Sequence, residues 1–314
     1  MKKQLIISLL SIVSLTGCNQ TRAEVPLKLN VVTPSGAPAI AFYKHLAENK
    51  LEINSNPVNV TAYFTNLGAK DVIVAPTNAG INAITNSLNP APFKIAATLT
   101  FGNFYIASLG NDSDNEMNEG DYVVLFQQNN IPDKLFQAVY GTNFDIHYVN
   151  AASDAAKCII TGKNETDNNA TVNYVLIAEP ALTTALAKNS NASLYSDLQN
   201  EYKNKFQGLE ITQASVFIAN SVSKEQADAF LNELRLDVRD LLKKPSILKN
   251  YVSDFSDTEL IEKFSSNESD TEEVLTNGNR INLNFKDAFT NKSSIDQFIA
   301  TLGMEATNEE IYFK

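Results

Sequence analysis

Two short turns carry groups suited to hydrogen-bond chemistry, Ser35-Gly36-Ala37-Pro38 and Pro76-Thr77-Asn78. Each follows an apolar, β-rich run and precedes a helical pattern. A strand-to-helix turn leaves backbone N–H groups without partners, and with the helix dipole these can receive an anionic or electron-rich group. Thr77 and Asn78 add a hydroxyl and an amide. Ser35 and Asn78 also fit plain helix capping, so both readings stay open. Further on, Gln127-Gln128-Asn129-Asn130 sets four consecutive amides at another turn, suited to hydrogen-bond readout, with Asn129 or Asn130 an alternative helix cap. Glu179 ends a strand ahead of Pro180, where it could accept from an amine or amidine, or sit favourably at a helix start without any ligand. Phe101, Phe104 and Tyr105 offer apolar or stacking surface. Strand alternation lets at most one of Phe104 and Tyr105 face a pocket.

Other chemistry is poorly served. The chain has no G-x-S-x-G, H-E-x-x-H, P-loop or G-x-G-x-x-G pattern. With two cysteines, Cys18 and Cys158, and two histidines, His45 and His147, no zinc or iron–sulfur ligand set can be assembled from the usual soft ligands. A net charge of −11 argues against nucleic acid, whose binding depends on Lys and Arg neutralising phosphates. Neither a catalytic residue nor a cofactor is expected, and no Lys or Arg falls within the candidate turns, which points away from small inorganic anions and towards a neutral, zwitterionic or cationic organic molecule.

The N-terminus reads as an export signal. Lys2 and Lys3 precede an apolar run, Leu5 to Leu15, too short to span a bilayer, and Leu15-Thr16-Gly17-Cys18 has the form of a bacterial lipobox. Residues 1–17 are then a lipoprotein signal peptide, Cys18 is the lipidated first mature residue, and residues 18–26 are a short tether. Removing Lys2 and Lys3 leaves 23 basic against 36 acidic side chains, a net −13. Cys158, in an apolar helical face, reads as a buried small hydrophobe.

The elements that must position these groups alternate, indicating an α/β architecture with mostly parallel sheets. Strands are expected at 27–32, 58–64, 71–75, 94–98 and 103–109, with helices at 39–49 and 78–85. A polar, aperiodic stretch from Asn111 to Asp121 marks a boundary. Beyond it come strands at 122–126, 144–149 and 173–178, and helices at 132–140, 153–160 and 180–188. The segment 189–207 reads as polar connection, 213–219 as a strand, and 280–285 as a final strand. Ser223 and Gln226 fit a capping box opening a helix that runs to about Lys243. The chain thus divides into one lobe from 27–109 and 212–314 and a second from 110–211. Two connecting strands, about 103–110 and 212–219, form a hinge on which the lobes can close.

In their order, the lipobox, Ser35 to Ala41, Asp71 to Asn78, Leu99 to Ile106, Ala178 to Ala185, Asn279 to Leu283 and the closing Ile311-Tyr312-Phe313 resemble the type II solute-binding proteins of ABC importers, in the branch of nitrate, sulfonate, taurine and thiamine-precursor uptake. The resemblance implies a two-lobed fold that captures a small organic solute and delivers it to a membrane permease. It implies a monomer, exported and lipid-anchored at the cell surface or in the periplasm. It places Ser35, Gly36, Ala37, Thr77, Asn78, Thr100, Phe101, Asn103, Gln128, Asn129 and Glu179 around the ligand. The family more often has a Gly-rich turn where this chain has Gln127 to Asn130. The rival classes are a dehydratase-like enzyme on the same fold and a surface lipoprotein without a ligand.

Overall fold

A computed structural model describes residues 29–55, 57–86, 92–110 and 116–314. The expected signal peptide, Cys18 and the tether lie outside the described residues. The chain runs through β1 (Val31–Pro34), α1 (Ala37–Ile40), α2 (Tyr43–Ala47), β2 (Leu51–Asn54), α3 (Pro57–Thr61), β3 (Val72–Pro76), α4 (Thr77–Thr85) and β4 (Phe93–Thr100). It continues with β5 (Phe104–Ser108), β6 (Tyr122–Phe126), α5 (Ile131–Tyr140), β7 (Asp145–Val149), α6 (Ala152–Thr161), the hairpin β8 (Lys163–Asn164) and β9 (Ala170–Thr171), β10 (Tyr174–Ala178), α7 (Ala181–Leu186), β11 (Ser193–Asp197) and α8 (Leu198–Lys205). It returns through β12 (Ala214–Ala219), α9 (Lys224–Lys243), α10 (Lys249–Val252), α11 (Asp257–Phe264), α12 (Glu268–Thr276), β13 (Leu283–Asp287) and α13 (Lys292–Thr301).

These strands form a six-stranded sheet, β13-β4-β12-β3-β1-β2, and a five-stranded sheet, β11-β5-β10-β6-β7. Both are mixed. In the first, β1, β2 and β3 are parallel and β12 runs antiparallel to β3 and β4. In the second, β6, β7 and β10 are parallel and β5 runs antiparallel to β10 and β11. Alternation sorts the first sheet's side chains between two cores: Val72 and Val74 pack with α9, whereas Ile73 and Ala75 face the core shared with the second sheet. The stripe Phe230, Leu234, Val238 and Leu241 holds α9 against its sheet, and the expected capping box of Ser223 and Gln226 opens that helix. Gly80 lets α4 lie directly on β12, because a Cβ there would stand 2.2 Å from the ring of Phe217.

Three sequence expectations give way. The segment 58–64 is not a strand: it forms α3 and a single 3₁₀ turn, Ala62–Phe64, and the strand is instead β2. The reason is topological. β2 and β3 flank β1 on opposite sides and both run parallel to it, so the chain between them must cross over the sheet face. Val60 and Phe64, four residues apart, bury themselves in that crossover. The polar segment 189–207 contains β11 and α8, the latter capped by Asp197, whose carboxylate accepts from the N–H groups of Gln199 and Asn200. The position of the first crossing also differs from the sequence reading, which put it near residue 110. β5 is a full member of the second sheet, so the chain passes between sheets at Phe101–Asn103, and it returns over 206–213.

Candidate functional site

Strand register brings the first lobe's candidate residues to one edge. Ala214 stands opposite both Pro76 and Thr100, so the start of α4, the end of β4 and the returning crossing are neighbours. In the second sheet Phe104 stands opposite Ala178, which sets Asn103 beside Glu179. The carboxyl ends of β3 and β10 therefore meet the chain where it crosses between lobes, the place where open α/β sheets hold ligands.

The first turn is already occupied by the protein itself. Ser35 N–H donates to the Asn54 carbonyl at 3.2 Å and Gly36 N–H to the Lys263 carbonyl at 2.9 Å. Gly36 takes a φ of 90° at the start of α1, a backbone that favours glycine, and Ser35 caps nothing. At the second turn, Thr77 N–H donates to the Gln213 carbonyl at 3.0 Å. The Thr77 hydroxyl is fully buried, 2.7 Å from that of Ser215, which lies 3.2 Å from the Thr98 hydroxyl. This ladder of hydroxyls runs across three strands' ends beneath the site. Asn78 makes no cap either; its Oδ1 is buried without a protein partner.

The first crossing is pinned from both sides. Asn282 accepts from Phe101 N–H at 3.0 Å and donates through Nδ2 to the Gly102 carbonyl at 2.6 Å. Asn103 exchanges backbone and side-chain bonds with Glu179: its carbonyl accepts from Glu179 N–H at 2.9 Å, and its Nδ2 donates to the Glu179 carbonyl at 2.8 Å. That leaves Asn103 Oδ1 as a buried acceptor without a protein partner. The hydroxyls of Thr100 and Thr212, both buried, and Gln213 Oε1 share that condition. Phe101 is buried under the Lys286 ammonium, 5.2 Å above its ring, and Phe104 packs on Phe126, so neither aromatic is an open stacking platform.

Glu179 is inaccessible. Its carboxylate accepts from Thr183 N–H at 3.1 Å and the Thr183 hydroxyl at 2.9 Å, with Arg280 Nε 3.0 Å away, and its side chain has no exposed surface. Arg280, from the segment before β13, also donates to Thr183 Oγ1 at 2.6 Å. Its carbonyl accepts from the Tyr105 hydroxyl at 2.7 Å. Burial pushes the Tyr105 phenol well above its ordinary value, which keeps it a donor. Sequence reading placed Glu179 at the site but missed Arg280. A buried carboxylate needs a cation, and the Asn279-Arg280-Ile281-Asn282 motif contained one.

The amide-rich turn of the second lobe is exposed. Gln127 and Asn129 take φ of 59° and 63°, so non-glycine residues hold a left-handed backbone. Neither Asn129 nor Asn130 caps α5 with its side chain. Instead Asp133, buried, reaches back to accept from Asn129 N–H at 2.7 Å, and also receives Tyr148 Oη and Gln137 Nε2. Gln128 is exposed beside it.

Elsewhere, burial pushes the Cys158 thiol up to about 11, fitting an inert packed residue. Among the described residues no group of three or more His, Cys, Asp or Glu is arranged to hold a metal ion, and no helix is long and apolar enough to cross a membrane. A cavity of about 730 Å³ lies at the opposite strand ends, lined by Lys94, Asn220, Lys224, Glu309, Tyr312 and Lys314 among others, and contains none of the candidate residues.

No protein-family model matches the sequence, and no protein of curated function matches it. Solved structures do. An ABC transporter protein of Parabacteroides distasonis aligns with a TM-score of 0.69 at 18% identity, over 91% of this chain and 98% of that one. The fold is that of the periplasmic binding proteins. The aliphatic sulphonate-binding protein SsuA of Escherichia coli aligns with a TM-score of 0.58 at 13% identity, covering 87% and 91% of the two chains. The ligand-binding component of an ABC-type import system from Staphylococcus aureus, solved with zinc bound, gives 0.58 at 10% identity, over 91% and 96%. At these identities the likeness is one of fold.

Proposed function

We propose that the chain is the solute-binding component of an ABC-type importer, closing two lobes over a small organic molecule and presenting it to a membrane permease. One observation carries this reading. Buried polar atoms without protein partners, on Asn78, Thr100, Asn103 and Gln213, gather where both sheets meet the crossings. Unpaired polar groups are costly inside a protein, so a cluster of them at a hinge marks a place that a hydrogen-bonding guest completes. No nucleophile–base pair stands there, and the Glu179 carboxylate is engaged by Arg280 and Thr183, which argues for capture without chemistry.

On this reading the receptor is a monomer whose lobes, one built on the six-stranded sheet and the other on the five-stranded sheet, move about the crossings at Phe101–Asn103 and 206–213. Cys18 carries the lipid that anchors it at the cell surface or in the periplasm. Small-angle scattering tests the closure: a binding solute is expected to shrink the radius of gyration and raise the melting temperature together. Stabilisation with no change in scattering would refute lobe closure. The anchor is tested separately, because Cys18→Ala is expected to move the protein from the membrane fraction to the medium or periplasm.

A further inference from the structure

Each lobe holds different peptide units of the crossings, and the boundary between their grips locates the torsions that can move. A peptide unit is planar, so each residue contributes only two soft torsions. On the first crossing, the grips on Phe101 and Gly102 come from Asn282, which precedes β13 in the first lobe. Its carbonyl accepts from Phe101 N–H at 3.0 Å, and its Nδ2 donates to the Gly102 carbonyl at 2.6 Å. Planarity carries the Asn103 nitrogen along with that carbonyl. Beyond the N–Cα bond of Asn103 the grips come from Glu179 in the second lobe, on the Asn103 carbonyl at 2.9 Å and on its Nδ2 at 2.8 Å. The boundary on this crossing therefore falls on a single bond.

The returning crossing is built the same way. Glu210 N–H donates to Ser294 on α13, a helix that touches α4 of the first lobe and α5 of the second. Next, Gln199 of α8, in the second lobe, accepts from Ile211 N–H through Oε1 at 3.2 Å, whereas the Thr100 carbonyl of the first lobe accepts from Gln213 N–H at 2.9 Å. Between those two grips lie Ile211 and Thr212. Ile211 is wedged against Gly102, where a Cβ would stand 3.2 Å from its Cδ1 and 3.0 Å from Gln199 Oε1. Thr212 is fully buried, yet its hydroxyl has no protein partner. The contact at Gly102 also sets the two boundaries side by side, as one axis through both crossings requires.

Resting on the receptor reading above, we infer that Asn282 and Gln199 are the positioning residues of the hinge, one amide from each lobe, and that they confine lobe closure to φ of Asn103 and the torsions of Thr212. Gly102 is thereby kept out of the motion, although a glycine at φ 90° is the most permissive residue of the first crossing. Holding it turns a loose joint into one with a defined axis.

The test is single-molecule energy transfer between dyes carried by unnatural amino acids at Lys188 and Glu233, exposed residues of the second and first lobes, with and without a small-molecule extract of a bacterial culture. Asn282→Gly suits the positive φ of 46° at that position and removes only the side-chain grip on Gly102. It is expected to broaden the distance distribution of the solute-free protein, because Gly102 then joins the hinge. Gln199→Met, which releases Ile211, should broaden it likewise. Thr212→Pro fixes φ at 212 and restricts Ile211, so it is expected to narrow the distribution and to diminish the shift that the extract produces in the parent protein. A merely structural role would lower the melting temperature and leave the width as it was. An unchanged width in any folded variant of the three would overturn the inference, and an extract-induced shift in the parent protein would leave the receptor reading standing. A parent protein that does not shift counts against the receptor reading, while the solute-free widths still decide the hinge. Should Thr212→Pro fail to fold, Thr212→Gly takes its place, with a broader distribution expected and an unchanged one overturning the assignment.

Discussion

Two ionic contacts tie the lobes together across the hinge, and they are built in opposite ways. Arg280 of the first lobe meets Glu179 of the second in a buried arrangement, with the carboxylate fully enclosed and the Thr183 N–H and hydroxyl completing its bonds. On the returning crossing, Glu210 takes Lys203 from α8 at 2.9 Å and Lys286 from β13, both lysines more than a third exposed. The first contact fixes geometry. A buried pair recovers its desolvation cost only when every bond is made, so it tolerates one arrangement of the lobes. The second is wet, screened by salt, and held by flexible lysine stems that can follow a rotation. The hinge thus has a rigid pivot at Glu179 and a compliant strap at Glu210.

The largest effect is expected from breaking the pivot on one side. Arg280→Ala leaves the enclosed Glu179 carboxylate without a cation, and removing one partner of such a pair costs about 3–5 kcal/mol. Urea unfolding should show the loss as a lower midpoint. The double variant Glu179→Gln with Arg280→Met should recover most of that loss, because neither charge is then left buried alone. A double variant as unstable as Arg280→Ala would show that Arg280 contributes through packing and not as the partner of Glu179. Activity separates the contacts too: if the pivot positions the lobes, the double variant folds yet closes poorly in scattering.

This asymmetry also explains how much of the molecule could be read from the sequence. Tyr122–Phe126 matches its strand expectation residue for residue, and Ser223 and Gln226 form the capping box their spacing indicates, because both signals are local. Strand register sets Thr77, Thr100, Asn103 and Glu179 near the crossings, and no contact with either crossing is seen for Ser35. What stayed hidden depends on distant partners. Arg280 and Thr183 are 97 positions apart, and nothing near either one announces the other. The run at 58–64 has strand composition, and only the placement of β2 and β3 around β1 makes it a crossover. Whether a turn's N–H groups are free depends likewise on remote carbonyls, such as Lys263 for Gly36.

At the end of β4, beside the returning crossing, lies the unpaired Thr100 hydroxyl, and a smaller effect of opposite sign is expected there. Replacing Thr by Val keeps the shape and β-branching of the side chain on β4 while removing a buried polar group that has no protein partner. Thr100→Val should therefore raise the stability of the ligand-free protein by up to about 1 kcal/mol, read as a higher urea midpoint, while weakening solute binding. A loss of stability instead would mean that the hydroxyl is satisfied in the resting protein and that this stretch of the hinge belongs to the scaffold.

The strap should give the smallest change and the clearest dependence on conditions. Burial pushes the Glu210 carboxyl up, but hydrogen bonds from Lys286 and Lys203 outweigh it, and its pKa falls below the ordinary value of 4.5. A carboxyl held lower in the folded than in the unfolded chain contributes stability that is complete above its unfolded value and is lost as pH falls through the folded one. Glu210→Gln is thus expected to cost no more than about 1 kcal/mol at neutral pH and nothing in strong acid. High salt should shrink the difference, whereas the Arg280→Ala defect should persist in salt because the Glu179 carboxylate it leaves unpaired has no exposed surface. If Glu210→Gln proved as damaging as Arg280→Ala and as indifferent to salt, the strap would be a second rigid pivot, and a hinge clamped at both crossings could not close the lobes.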